Sequence, residues 1–310
     1  MFKKLFNFKD VDTHYNIVVF GIQFTIKHKS NFKYQEAKEL GVKEVKRPVQ
    51  LIVSLTSFPA RINQVHLTLN TLLQQETKPD RVILWLSENQ FPKKEQDLPE
   101  NILRLTPLGL EVKWCKDDIR SYKKLIPALV EFPNDIIVTA DDDMYYKSDW
   151  LKGLYDAYLK NPQNIYTRRG CRVYVENGEI KVIKPRKYHF NYNFPTDFNN
   201  LLMGGAGTLY PPHSLHKDIL NLDKIKNLIP THDDIYFWVM GLLNNKKVEV
   251  VGGFDYSFYY TPASDDNGLC SVNNSQSNIG MSSSDAFKVI SKEYPEVVKL
   301  LEGKNGWNNI

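Results

Sequence analysis

Three short apolar runs constrain this chain most: Leu51-Ile52-Val53-Ser54-Leu55, Val82-Ile83-Leu84-Trp85-Leu86 and Ile136-Ile137-Val138-Thr139-Ala140. They lack the in-out alternation of a half-exposed strand, so each must be buried on both faces. Between the first two, Ile62, Val65, Leu69, Leu72 and Leu73 mark one face of a helix. Between the second and third come a polar loop to about residue 101, a short strand at Val112-Lys113-Trp114 and a helix near residues 120–131. Strand, helix and strand in one sheet force parallel pairing with right-handed crossovers. The expected fold class is therefore α/β, with a mainly parallel central sheet flanked by helices.

Beyond the third run the pattern loosens. Trp150 to Leu159 reads as a helix, and Ile165 to Ile183 as strands joined at Asn177-Gly178, a hairpin signal. A Gly-rich segment, Met203-Gly204-Gly205-Ala206-Gly207, precedes a helix at about Asp234 to Leu243 and the strand Val248-Glu249-Val250-Val251. The Ser- and Asn-rich stretch from Asn267 to Ser284 reads as a mobile loop. Three divisions follow: a basic and aromatic hairpin segment over 1–47, a main domain over 48–262, and a loop with a C-terminal helix over 263–310.

With 40 Lys plus Arg against 36 Asp plus Glu, the charge excess is too small to imply nucleic acid, though it suits anionic substrates or an anionic membrane surface. Cys115, Cys171 and Cys270 are far apart and odd in number, which is neither a disulfide framework nor metal-ligand spacing. No apolar run approaches the 18 or so residues of a spanning helix. The expectation is a cytoplasmic protein. Phe2, Leu5, Phe6 and Phe8 among Lys3, Lys4 and Lys9 either touch the cytoplasmic face of the inner membrane or dock on the main domain.

Asp141-Asp142-Asp143 ends the third run, and ligands of parallel sheets bind beyond the carboxyl ends of the strands. Three adjacent carboxylates repel one another, and a hard divalent cation carrying a diphosphate would offset that repulsion. Alone, the triplet reads equally well as a solvated turn capping the next helix. The first strand ends in Thr56-Ser57-Phe58-Pro59-Ala60-Arg61, on the same sheet edge, where hydroxyls, backbone amides and a guanidinium suit a nucleotide and its phosphates. A Gly-x-Gly-x-x-Gly dinucleotide loop is absent there. Of Lys123 and Lys124, one can face such a site, and Lys124 is the choice. Asp233 and Asp234 open the later helix, where capping would explain them, but a general base needs a held carboxylate beside an aromatic platform, and Trp238 lies one turn along. Gly204 and Gly205 would let an acceptor or sugar approach the backbone.

In order along the chain, Val53 to Arg61, Pro79 to Leu86, Ser121 to Leu125, Ile137 to Asp143 and His232 to Ile235 resemble the GT-A fold glycosyltransferases, specifically the bacterial family 2 type enzymes of capsule and lipopolysaccharide biosynthesis. The likeness spans roughly residues 48–262. It implies that Asp141 and Asp143 correspond to the DXD signature, with Asp143 the direct ligand of Mn²⁺ or Mg²⁺ and Asp141 or Asp142 nearer the ribose or a water on the metal. It implies that Asp234, or Asp233 where relatives commonly have Glu, is the base of an inverting transfer. The implied donor is a nucleotide-sugar, with a UDP-sugar favoured, and the implied acceptor is a hydroxyl of a glycan or lipid-linked glycan. Two rivals remain at this level: a metal-dependent nucleotidyltransferase and a non-catalytic glycan-binding scaffold.

Overall fold

The computed structural model describes residues 6–11, 14–19, 22–27, 33–183, 195–252, 258–261 and 281–302. The chain divides into two compact units, 1–35 and 36–310. In the first, β1 (Phe6–Val11), β2 (His14–Val19) and β3 (Ile22–Lys27) form an antiparallel meander. The sequence reading expects a two-stranded hairpin here. The extra strand comes from Phe6-Asn7-Phe8-Lys9, whose period-two alternation is itself a strand signal. Residues 36–47, expected to belong to this segment, fold with the second unit instead: Gly41 N donates to Leu108 O at 2.8 Å and Arg47 pairs with Asp80 at 2.7 Å.

The second unit is α/β. Its elements begin with β4 (Leu51–Thr56), α1 (Val65–Leu72), β5 (Arg81–Ser87), α2 (Glu100–Leu103), β6 (Leu110–Cys115), α3 (Ile126–Glu131) and β7 (Ile136–Thr139). They continue with β8 (Met144–Tyr146), α4 (Trp150–Lys160), β9 (Ile165–Thr167), β10 (Gly170–Glu176), β11 (Glu179–Val182), β12 (Asn200–Leu202) and β13 (Thr208–Tyr210). Last come α5 (Leu222–Leu228), α6 (Asp233–Leu243), β14 (Val248–Val250), β15 (Phe258–Tyr260), α7 (Ser283–Glu293) and α8 (Pro295–Glu302). The central sheet runs β14-β9-β13-β7-β4-β5-β6. Its pairings are parallel except where β13 lies antiparallel between β9 and β7.

Burial on both faces explains the continuous apolar runs. In β4, Leu51, Val53 and Leu55 point to a core with Val65, Leu69 and Trp150, while Ile52 points to the opposite core with Tyr122, Phe237 and Trp238. The helix expected near residues 120–131 is divided into a 3₁₀ turn, Arg120–Lys124, and α3. Pro127 has no N–H to continue the ladder back to Lys123, so the helix restarts there. Asn177 (φ 53°) and Gly178 (φ 75°) make the tight turn between β10 and β11, as the hairpin signal requires.

The C-terminal residues are not an appendage. Phe287, Ile290, Val297 and Leu301 of α7 and α8 are buried in the same core as α6. Residues 267–280 of the expected loop lie outside the described residues, and Ser283 and Ser284 already belong to α7. No helix among the described residues is long and apolar enough to cross a membrane.

Candidate active site

Parallel pairing sets β4 and β7 side by side, Ser54 opposite Thr139, so Thr56-to-Arg61 and Asp141-to-Asp143 leave the sheet at one edge. The acids divide there into different roles. Asp142 is buried with both oxygens engaged: Ser57 Oγ donates to Oδ2 at 2.6 Å and Arg61 Nη1 to Oδ1 at 2.7 Å. Thr68 Oγ1 donates to its backbone carbonyl at 3.0 Å. Asp142 therefore organises the turn through Ser57 and Arg61, where the sequence expectation has all three near a nucleotide. Thr56 is likewise spent within the sheet, its hydroxyl donating to Trp85 O at 2.8 Å.

Asp143 and Asp141 are each engaged by a cation through one oxygen. Arg61 Nη1 lies 2.9 Å from Asp143 Oδ2, and Lys124 Nζ lies 2.6 Å from Asp141 Oδ1. Burial, followed by the charge of Asp141, pushes the Asp143 carboxyl up to about 7, against the pull of Arg61. Two mutually repelling carboxylates, each with a second oxygen beyond these contacts, have the donor chemistry of a hard cation site. Among the described residues no three His, Cys, Asp or Glu side chains form a ready-made cage. A cation held here would need further oxygens from its ligand or from water, as is usual for Mg²⁺ with phosphates.

Lys124 links this edge to α6. Its ammonium lies 2.9 Å from Asp233 Oδ2 as well as against Asp141, and it is 4 % exposed. Burial alone would lower its pKa, but Asp141, Asp233 and Asp234 together hold it well above the ordinary lysine value. Ser54 Oγ fixes the backbone beneath it by donating to Lys124 O at 2.6 Å. Lys123 is buried too and pairs with Asp118. The 3₁₀ turn sends the two lysines to different partners, Lys123 to Asp118 and Lys124 to Asp141 and Asp233.

Asp234 differs from its neighbours. The residue is half-buried, but its Oδ1 is closed off from solvent and has no hydrogen-bond partner among the described residues. Burial, reinforced by Asp233, pushes its carboxyl up to about 7, with Lys124 opposing. The Gly-Gly step accommodates both acid sites: a Cβ on Gly204 would stand 2.4 Å from Asp234 Oδ1, and one on Gly205 would stand 2.6 Å from Asp141 Oδ2. These glycines thus make room for the protein's own carboxylates, a reason the sequence did not disclose. Gly207, at φ 102°, turns the chain against Trp150, whose indole donates to Ala206 O at 2.7 Å.

Trp238 is not a sugar platform. It is fully buried, its indole donates to Phe198 O at 3.1 Å and its ring meets Phe287 edge-on at 6.4 Å. One turn along α6 from Asp234 is the core-facing side of the helix, which sequence spacing alone does not reveal. A residue missed from the sequence is Tyr146, whose hydroxyl accepts from Asp141 N and donates to Gly205 O, both at 2.8 Å. Only strand β8, too short to signal itself, puts it there.

No known family profile matches the chain, and no curated protein matches it in sequence. Among solved structures, the crystal structure of S. aureus TarS 1-349 is similar at a TM-score of 0.45 and 15 % identity. The match covers 70 % of this chain and 62 % of that one, so the chain spans less than two thirds of that protein's length.

Proposed function

We propose that this protein is a GT-A type glycosyltransferase that moves a sugar from a nucleotide-sugar to an acceptor hydroxyl, with Asp234 as the general base. The carrying observation is Asp234 Oδ1: closed to solvent, without a hydrogen-bond partner among the described residues, on a half-buried acid beside Asp233, which Lys124 joins to the acids at the strand ends. Asp233 is occupied by Lys124, which favours Asp234 as the proton acceptor. A carboxyl raised to about 7 suits general-base work near neutral pH.

Asp143 and Asp141 would hold Mn²⁺ or Mg²⁺, which when bound offsets the charge building on a departing diphosphate. Lys124 fixes Asp141 and Asp233 relative to each other. Asp234 takes the proton of the acceptor hydroxyl as its oxygen bonds to the anomeric carbon and the bond to the diphosphate breaks. Attack opposite the leaving group inverts that carbon. A UDP-sugar donor, a surface glycan acceptor and work at the cytoplasmic face of a membrane are parts of the same proposal, supported by the sequence resemblance alone.

The test is nucleoside diphosphate release from UDP-, GDP- and CMP-sugars with Mn²⁺, Mg²⁺ or EDTA, on wild type and Asp143→Ala. The expected result is metal-dependent release from one donor class, abolished by EDTA and by the substitution. Silence with every donor, together with no metal-dependent nucleotide binding, would overturn the proposal.

A further inference from the structure

Arg169 stands apart from the other partly buried guanidiniums. Arg61, Arg81 and Arg172 each pair with a carboxylate, and Arg168 donates to the carbonyls of Asp149 and Trp150. Arg169 is half-buried, yet among the described residues no carboxylate pairs with it. Its guanidinium meets the Tyr260 hydroxyl at 3.5 Å, the outer limit of a hydrogen bond.

Its location ties it to the site. The carbonyl of Arg169 accepts from Met203 N at 3.0 Å, and Met203 leads directly into the Gly204-Gly205 step that separates Asp234 from Asp141. Tyr260 pairs across strands with Met144, the residue after Asp143, and Met144 Sδ lies 3.7 Å from the position a Cβ on Gly205 would take. Arg169 and Tyr260 thus reach the Gly204-Gly205 step from two sides, through Met203 and through Met144, and touch each other; this ring of contacts includes Gly205. Tyr260 is 59 % exposed, so the ring is open to solvent on that side.

A half-buried guanidinium with no counter-ion among the described residues is poorly compensated by them, and its planar fork matches phosphate and carboxylate. The acids at the strand ends already have Arg61 and Lys124 as cations, whereas Arg169 is attached to the base side through Met203 and Gly204. We propose that Arg169 and the Tyr260 hydroxyl form a subsite for an oxyanion, a phosphate or carboxylate, carried by the acceptor. The assignment to an acceptor rests on the transferase reading above.

Full-length wild type, Arg169→Ala, Arg169→Lys and Tyr260→Phe would be titrated calorimetrically with inorganic phosphate and with methyl glucuronide, alone and with UDP and Mn²⁺ saturating. Wild type should bind these anions, and Arg169→Ala should weaken binding by about tenfold or more, the scale of a charge-assisted hydrogen bond. Arg169→Lys should restore part of it, and Tyr260→Phe should cost less. Binding should persist with UDP and Mn²⁺ present. No anion binding by wild type, or equal binding by Arg169→Ala with its melting transition intact, would overturn the subsite. Loss of anion binding on UDP saturation would assign the guanidinium to the donor diphosphate and overturn the acceptor assignment. In transfer assays, the ratio of anionic to neutral acceptor turnover should fall in Arg169→Ala. A failed transferase reading shows itself separately, as no diphosphate release from any wild-type preparation, and leaves the anion titration standing.

Discussion

Asp142 and Asp234 are both acids at the sheet edge, and they are treated in opposite ways. Both oxygens of Asp142 are bound, by Ser57 and Arg61, at 2.6 and 2.7 Å. Oδ1 of Asp234 has no hydrogen-bond partner among the described residues although solvent does not reach it. A buried polar atom without a partner is unfavourable by the full desolvation of that group, so a fold retains it where something else supplies the bond. The contrast separates an acid whose oxygens are bound within the turn from one that the proposed function uses as a base, and residue type alone cannot draw that line.

The largest expected effect falls on activity. Asp234→Asn should reduce sugar transfer by about 10² to 10⁴, the range of a lost general base, while changing stability little, because the carboxyl raised to about 7 is held by no hydrogen bond at Oδ1. Asp142→Asn should show the reverse balance, with stability lost first. Steady-state transfer rates set beside denaturant midpoints would check both, and similar profiles for the two variants would dissolve the distinction.

Next is the cation between Asp142 and Asp143. Arg61 and Asp142 side chains are 10 % and 8 % exposed, so Arg61→Ala leaves two buried carboxylates facing each other. The expected loss is about 3 kcal/mol of unfolding free energy, read from urea denaturation. A loss within experimental error would mean that the turn holds without its ion pairs.

Gly204→Ala probes the open side. The added methyl would meet Asp234 Oδ1 at 2.4 Å and push the carboxyl aside. Transfer should fall about tenfold or more, with the fold intact, since small displacements of a reacting group are costly. Unchanged transfer would argue against the position of Asp234 as the working one.

The smallest effect is in pH dependence. Asp234 and Asp143 are raised to about 7 in the folded chain, against about 3.9 in an unfolded one. Between those values the folded state binds more protons than the unfolded state, so unfolding free energy should decrease as pH rises from about 4 to about 7. Asp234→Asn should flatten part of that slope and leave the part due to Asp143. Melting in metal-free buffer across this window checks the sign; a rise in stability there would contradict both raised values.

Much of the parallel half was legible in the sequence. Continuous apolar runs such as Leu51 to Leu55 can be satisfied only by burial on both faces, and helix-period segments between them dictate crossovers. The antiparallel insert β13 was not legible, because Thr208-Leu209-Tyr210 is too short to carry a period and its neighbours in the sheet, Thr139 and Thr167, are distant in sequence. The fate of Trp238 was hidden for a related reason: an aromatic one turn from an acid reads the same whether that helix face meets a ligand or a core. The place of α7 and α8 in the main core was hidden too, since their apolar faces do not name what they cover.

By itself, the sequence determined which residue types would gather at the carboxyl ends of β4 and β7, because burial of the strands and the handedness of the crossovers leave those loops one edge to occupy. The tertiary structure decided how the charges there were shared: Arg61 to Asp142 and Asp143, Lys124 to Asp141 and Asp233, and no hydrogen bond to Oδ1 of Asp234. That allocation depends on distances of a few ångströms between segments up to about a hundred residues apart, and such distances are set by packing and desolvation, which no local pattern encodes.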